Sequence, residues 1–272
     1  MPSSGVRAAV FDLGNTLWFY GYEPSKEDAD RMVADLLRPW LATTGVALPA
    51  PLELLIRDVW DAFEQASKVE FARGLYREPS IPFLVRGAFA VRGLDVSAEF
   101  AEEWHHRGWI GSKGFGIELY PDAIDVLRVL RSRGVLIGVN SNRPCTTAMM
   151  MRDLADLGLA PYVDAAVSSG ETGFQKPHPS TFERLLEDLD VAPGDAVMIG
   201  DGCEADVRGA KAMGMRTVLK LNGRYGLTPC ADADYEIHDL GELLALPLFG
   251  EPRAATVAES LTPHDDANED RY

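Results

Sequence analysis

Apolar and polar positions fall into blocks along this chain, and the period of the blocks changes as the chain advances. Residues 8–17 read Ala-Ala-Val-Phe-Asp-Leu-Gly-Asn-Thr-Leu, a short apolar run that ends in Asp12. A run of that length predicts a buried parallel strand that delivers Asp12 to its carboxyl end, where open α/β sheets bind ligands. From Trp18 to about Gly116 the period is helical. Pro24-Ser25 is a start signal, and Met32, Val33, Leu36, Leu37, Trp40 and Leu41 follow at helical spacing, which predicts a helix over 25–43. A second helix is expected over 51–73, with Leu54, Leu55, Val59, Ala62 and Phe63 on one side, and two more over 81–91 and 97–110. No alternating strand pattern interrupts them, so 18–115 reads as an all-helical insert of a size that suits a small domain.

After Ile117 strands and helices alternate. Pro121 opens a helix to about 133; strands are expected over 135–140, 163–167, 196–199 and 216–219, with helices over 144–157, 178–189 and 204–213 between them. A short strand over 235–237 and a helix over 240–245 close the series. Such alternation implies right-handed crossovers and a parallel sheet covered on both faces, a three-layer αβα, Rossmann-like arrangement. The expected division is a core of residues 1–17 and 116–249, the helical insert at 18–115, and a tail at 250–272. The tail has few large apolar residues and the acidic end Asp265-Asp266-Ala267-Asn268-Glu269-Asp270, so it is expected to be disordered.

Charge and cysteine content narrow the function classes. The 272 residues carry a formal net charge of −16. That balance argues against a general nucleic-acid binder or a protein of anionic membranes, both of which need a basic surface. Any anionic substrate must be captured by local positive charge. The chain's 3 cysteines, Cys145, Cys203 and Cys230, are widely spaced and odd in number, which suggests neither a disulfide framework nor a metal site; reduced thiols and a cytoplasmic location are expected. No secretory signal and no run long enough to cross a bilayer is apparent. A monomer or homodimer is expected.

Candidate chemistry sits at the ends of the apolar runs. Beside Asp12 there are three further segments: 135–142 ending Asn140-Ser141-Asn142, then Gly173-Phe174-Gln175-Lys176-Pro177, then 197–206 with Gly200-Asp201-Gly202-Cys203-Glu204-Ala205-Asp206. Taken singly, each has an ordinary explanation: Asp12 a turn, Ser141 a helix cap, Lys176 a solvated charge, Asp201 and Asp206 helix N-capping. Together and in this order they resemble the four motifs of the haloacid dehalogenase (HAD) superfamily. The resemblance covers the core, while the insert matches only as a helical cap in the first of that family's two usual positions.

The resemblance implies a Mg2+-dependent hydrolase of a small phosphorylated metabolite. Asp12 would be the nucleophile, and Asp12, Asp201 and the Gly14 carbonyl would hold the metal. Asp206 would be a further ligand or a partner that holds the site in shape. Ser141 and the backbone N–H groups of Leu13 and Gly14 would bind the transferring phosphoryl group, and Lys176 would hold Asp12 and the phosphate. Asn142, Arg143, Trp18 and Tyr20 are candidates for substrate contact, as are Tyr22, His105 and His106, of which at most one His faces the cleft. Gly111, Gly114 and Gly116 form either a hinge or a loop.

Gly14 departs from the family pattern, which usually has a second Asp there as general acid and base. Losing a general acid costs on the order of 10²- to 10⁴-fold in rate for a poor leaving group and less for one that leaves easily. Three readings follow. The chain is a phosphatase for a favourable ester, or one with a borrowed acid; or it is a phosphonatase-like enzyme that would need a cap lysine, for which only Lys26, Lys68 and Lys113 are present; or it binds a phosphorylated ligand or a partner without turnover. The Gly200-Asp201 pair argues against a haloacid dehalogenase, and phosphoglucomutase-like chemistry would need the missing Asp.

Overall fold

A computed structural model describes residues 5–22, 24–114, 116–221 and 228–249; the tail expected at 250–272 lies outside them. The chain begins with strand β1 (Ala8–Phe11), every residue of which is buried. Ala9 and Phe11 pack on one face of the sheet and Ala8 and Val10 on the other, as the period of two requires of a strand covered on both sides.

The short strand β2 (Trp18–Tyr20) comes next, then helices α1 (Lys26–Thr44), α2 (Leu52–Ala72), α3 (Ile81–Ala90), α4 (Ala98–Arg107) and the single turn α5 (Gly111–Gly114), then β3 (Ile117–Leu119). Ser25, Ser80 and Ser97 cap α1, α3 and α4 by accepting from the backbone N–H of the third residue of each helix. These helices bury their own apolar cluster, drawn from Val33 and Leu37 of α1, Leu55, Ile56 and Val59 of α2, Val85 and Phe89 of α3 and Trp104 of α4. Leu36 and Leu54, expected on the apolar faces, are exposed: the buried stripe of α2 runs through Leu52, Leu55, Ile56 and Val59 instead.

One element in this stretch differs in kind from the sequence expectation. Trp18–Tyr20 is not the start of a helical region but pairs antiparallel with β3, Trp18 opposite Leu119 and Tyr20 opposite Ile117. A three-residue strand followed by a helix start is too short to show a period of two.

The remaining elements are α6 (Ala123–Ser132), β4 (Leu136–Ser141), α7 (Thr147–Asp156), β5 (Ala165–Ser168), α8 (Ser169–Thr172), α9 (Pro179–Leu189), β6 (Ala196–Gly200), α10 (Gly209–Ala212), β7 (Arg216–Lys220) and β8 (Tyr235–Ile237). A π-helical turn, Cys203–Arg208, leads into α10, and a 3-10 turn, Leu240–Ala245, follows β8, where the sequence suggested ordinary helices. The main sheet has six strands in the order β5-β4-β1-β6-β7-β8, all parallel. Chain order runs outward from β1 on one side through β4 and β5, then returns to its other side with β6, β7 and β8. β1 is therefore the place where strand order reverses, and its carboxyl end is where an open sheet leaves a crevice.

The cysteine expectation is corrected. Cys203 and Cys230 form a disulfide with Cα atoms 5.7 Å apart, and Cys145 is the buried free thiol. The pairing strands β6 and β7 bring the turn after one beside the segment after the other, a proximity that a sequence separation of 27 residues conceals. Among the described residues no helix is long and apolar enough to cross a membrane.

Candidate active site

The residue after β1 is Asp12, and its backbone N–H still donates to Ile199 of β6 (2.9 Å), so the strand ladder fixes the position of its side chain. Immediately beyond, the chain doubles back: the N–H groups of Thr16, Leu17 and Trp18 all donate to the Leu13 carbonyl at 3.0–3.2 Å. Asn15 takes a left-handed conformation (φ 57°) to make this turn, which suits an asparagine better than most side chains. The turn brings Trp18 back over Gly14.

Lys176 reaches in from the loop before α9. Its ammonium is buried and donates to Asp12 Oδ1 (2.8 Å), Asp206 Oδ1 (2.6 Å) and the Asn140 carbonyl (2.7 Å), so all three protons are used. Asn142 holds the loop in place: its Nδ2 donates to the Lys176 carbonyl (3.1 Å) and its Oδ1 accepts from the Lys176 N–H (2.7 Å). The side chain expected to contact substrate is thus committed to the backbone of the lysine. The Lys176–Pro177 peptide is cis.

Asp206, on the π-helical turn, is buried, and both its oxygens are engaged, Oδ1 by Lys176 and Oδ2 by the Gly202 N–H (2.9 Å). Gly200 is obligatory here for steric reasons, because a Cβ at that position would collide with the Asp206 carboxylate. Asp201 lines the same space, and one carboxylate oxygen from each of Asp12, Asp201 and Asp206 lies within 4.8 Å of the others. Three carboxylates against one ammonium leave the cluster with excess negative charge. Burial pushes the Asp12 carboxyl up, Lys176 draws it back, and Asp206 and Asp201 push it up again, to about 7. Burial alone would lower Lys176, but Asp12 and Asp206 raise it above the ordinary lysine value.

These groups line a cavity of about 180 Å³ together with Gly14, Asn15, Trp18, Tyr20, Ser141, Asn142 and Arg143. Asp12, Ser141, Lys176, Asp201 and Asp206 thus meet there, while Leu13 is fully buried and is not among the lining residues. Trp18 is fully buried, whereas Tyr20 stands at the mouth with 41% of its surface exposed. The two histidines do not line the cavity: His105 Nε2 pairs with the Pro144 carbonyl (2.8 Å), and His106 Nε2 with Arg152 (3.0 Å). Lys26 and Lys68 of the helical insert are exposed and paired with acidic residues of α2.

Two contacts in and beside the site are not among the sequence expectations. Arg143 is buried with its guanidinium 5.2 Å from the Trp18 ring and 5.1 Å from the Trp109 ring, and it donates to Asp153 of α7 (2.7 Å). Asp153 also accepts from Trp109 Nε1 (3.1 Å) and the Ser112 N–H (3.1 Å), so one carboxylate joins the end of the insert to the sheet edge. Gly111 lies against it with φ 69°, and a Cβ there would meet Asp153 Oδ1 at 2.6 Å. The second is Lys220, buried at the end of β7 with its Nζ 3.4 Å from the centre of the Tyr120 ring. Burial lowers its pKa to about 8, against the opposing pull of Asp122, Asp239 and Asp201. Lys220 closes an apolar run just as Asp12 does, so the signal that finds one finds the other.

Comparison with known proteins gives concordant findings. A family model described as hydrolase, haloacid dehalogenase-like hydrolase, matches residues 6–214. A ribulose-1,5-bisphosphate 5-phosphatase of Halopiger xanaduensis is 40% identical over 138 residues, which is 48% of this chain and 57% of that protein. This chain therefore spans little more than half of that relative. A glyceraldehyde 3-phosphate phosphatase of Methanopyrus kandleri is 35% identical over 243 residues, 88% of this chain and 96% of its own. In the crystal structure of a HAD phosphatase from Thermococcus onnurineus, 97% of the chain superposes on 88% of this one with a TM-score of 0.52 and 26% identity.

Proposed function

This chain belongs to the haloacid dehalogenase-like hydrolases, and from that premise we propose that it is a Mg2+-dependent phosphatase of a small phosphorylated metabolite, working through an aspartyl-phosphate on Asp12. The observation that carries this reading is the convergence of Asp12, Asp201 and Asp206 on Lys176 at the strand-reversal crevice. An all-oxygen donor set with surplus negative charge suits a hard divalent cation. Asp12 and Asp201 would hold it, with the Gly14 carbonyl. Of the two roles open to Asp206, the engagement of both its oxygens favours the positioning one. When bound, the metal supplies positive charge that offsets repulsion between the Asp12 carboxylate and the phosphoryl oxygens.

The chain's own residues account for the rest. Lys176 holds Asp12 oriented and offsets part of the rise that burial and the neighbouring carboxylates impose on its pKa, since its ammonium favours the charged carboxylate. Ser141, at the end of β4, and the N–H groups of Leu13 and Gly14 serve as donors to the phosphoryl oxygens. The Asp12 carboxylate attacks phosphorus, the bond to the leaving oxygen breaks, and water then attacks the same phosphorus to release phosphate and restore Asp12. The helices over 26–114 act as a cap that limits water access, joined to the core through the β2–β3 ribbon and through Trp109 and Ser112, which donate to Asp153. Exposure of Lys26 and Lys68 away from the cavity speaks against Schiff-base phosphonatase chemistry by either.

The test is metal dependence. Protein stripped with a chelator is expected to release no phosphate from p-nitrophenyl phosphate or acetyl phosphate, and Mg2+ should restore release. Asp206→Asn should raise the Mg2+ concentration required by about 10- to 100-fold. Full activity in the stripped protein would overturn the proposal.

A further inference from the structure

Gly14 stands where the family's general acid is usual, and the structure shows what occupies the space its side chain would fill. A Cβ on Gly14 would meet one atom only, the indole Nε1 of Trp18, at 4.0 Å. Gly14 does not have the positive φ that would demand glycine. Trp18 is fully buried, lines the cavity beside Asp12, and its Nε1 has no hydrogen-bond partner among the described residues. A buried N–H without a partner is costly, which argues for an acceptor in the working complex. The Trp18 backbone N–H donates to the Leu13 carbonyl (3.1 Å), which fixes the root of the side chain, and the Arg143 guanidinium lies 5.2 Å from the centre of its ring.

Resting on the phosphatase reading above, we propose that the Trp18 indole N–H donates a hydrogen bond to the leaving oxygen of the substrate, in place of a carboxylic acid. An indole cannot release its proton in this pH range. The bond from phosphorus to the leaving oxygen then breaks with its electron pair going to that oxygen, which departs as an anion stabilised by one hydrogen bond and takes its proton from solvent. Among the described residues no other group that lines the cavity replaces the acid, and Lys220 is not one of the lining residues. Lys176 has all its protons engaged, Arg143 does not deprotonate, and Tyr20 sits at the exposed mouth. The substrate class follows: phosphoryl groups on weakly basic oxygens, such as acyl phosphates and phosphates of acidic hydroxyls, rather than simple alkyl phosphates.

The experiment measures kcat/KM with Mg2+ for acetyl phosphate, a graded series of aryl phosphates and a simple alkyl phosphate. This ratio reports the step that breaks the bond to the leaving oxygen. The wild type is expected to lose rate steeply as the leaving oxygen becomes more basic. Gly14→Asp, which introduces a carboxyl beside Trp18 Nε1, should raise the ratio of kcat/KM on the alkyl phosphate to that on acetyl phosphate by on the order of 10²- to 10⁴-fold. Trp18→Phe should lower kcat/KM across the series by about tenfold or more without flattening the slope. A folded Trp18→Phe variant with wild-type kcat/KM across the series would overturn the proposal; so would a flat wild-type series or a Gly14→Asp variant that gains equally on all substrates, and these two outcomes do not depend on Trp18→Phe folding. Absence of phosphate release from every substrate, acetyl phosphate included, would overturn the phosphatase reading as well; release with a flat series would overturn this inference alone.

Discussion

The side chain that carries most structure for its size is Asp153. Its two oxygens receive the Arg143 guanidinium, the Trp109 indole and the Ser112 N–H, and only 5% of its side chain is exposed. Removing one partner of such a pair leaves an uncompensated buried charge, at a cost of about 3–5 kcal/mol, whereas replacing both by apolar groups is often close to neutral. Asp153→Ala should therefore lower the unfolding free energy in urea by about that amount, and Arg143→Met combined with Asp153→Leu should recover much of it; a loss below about 1 kcal/mol for the single variant would contradict this account. Neither Asp153 nor its link to Arg143 could be read from the sequence, because an acidic residue inside an amphipathic helix looks like any solvated position until the chain is folded. Asp12, Ser141, Lys176 and Asp201 were legible for a simple reason: each is a polar residue at the end of an apolar run or just before a proline-started helix, and parallel strands send such residues to one edge. Asn142 shares that signature, yet its amide is taken up by the Lys176 backbone, a choice made by loop geometry and invisible to a pattern of polarity.

At the scale of elements, the helices were legible to within a few residues because their apolar spacing and serine caps are local features, whereas contacts between distant segments were not. The Trp18–Tyr20 strand depends on β3, about a hundred residues later, and the disulfide depends on the β6–β7 pairing. The same holds for residues 76–78, where Gln175 N–H donates to the Tyr76 carbonyl (2.7 Å) and Glu78 N–H to the Gly173 carbonyl (2.9 Å), tying the insert to the loop that carries Lys176. This contact buries both oxygens of Glu78 without a hydrogen-bond partner, and burial raises its pKa above the ordinary value of 4.5, although Ser169 and Gln175 nearby pull it down in part. A raised carboxyl pKa means that the folded state holds the proton more tightly than the unfolded chain. The stability this gives is complete below the ordinary value and is lost as pH rises through the folded one. Glu78→Gln should accordingly have a higher melting temperature than wild type at about pH 8 and a similar one at about pH 4. A gain of the same size at both pH values would show that Glu78 is not titrating in this way.

The whole molecule carries a net charge of −16 yet presents a phosphate-sized cavity lined by three aspartates. Such a surface repels anionic substrates at long range, so capture must rest on the few cations at the sheet edge, on backbone donors and on the proposed divalent metal. The parallel order β5-β4-β1-β6-β7-β8 makes this possible by gathering residues from far apart in the chain at one edge, and the insert bonds to the adjoining segments through Tyr76, Glu78, Trp109 and Ser112. Asp12 is the centre of that arrangement, and the account stands on its acting as a nucleophile. The most direct measurement is phosphate release from acetyl phosphate in the presence and absence of Mg2+, comparing wild type with Asp12→Asn, whose fold is checked by circular dichroism. Mg2+-dependent release by the wild type and none by the folded variant is the predicted result. Release by Asp12→Asn at the wild-type rate would contradict the mechanism outright.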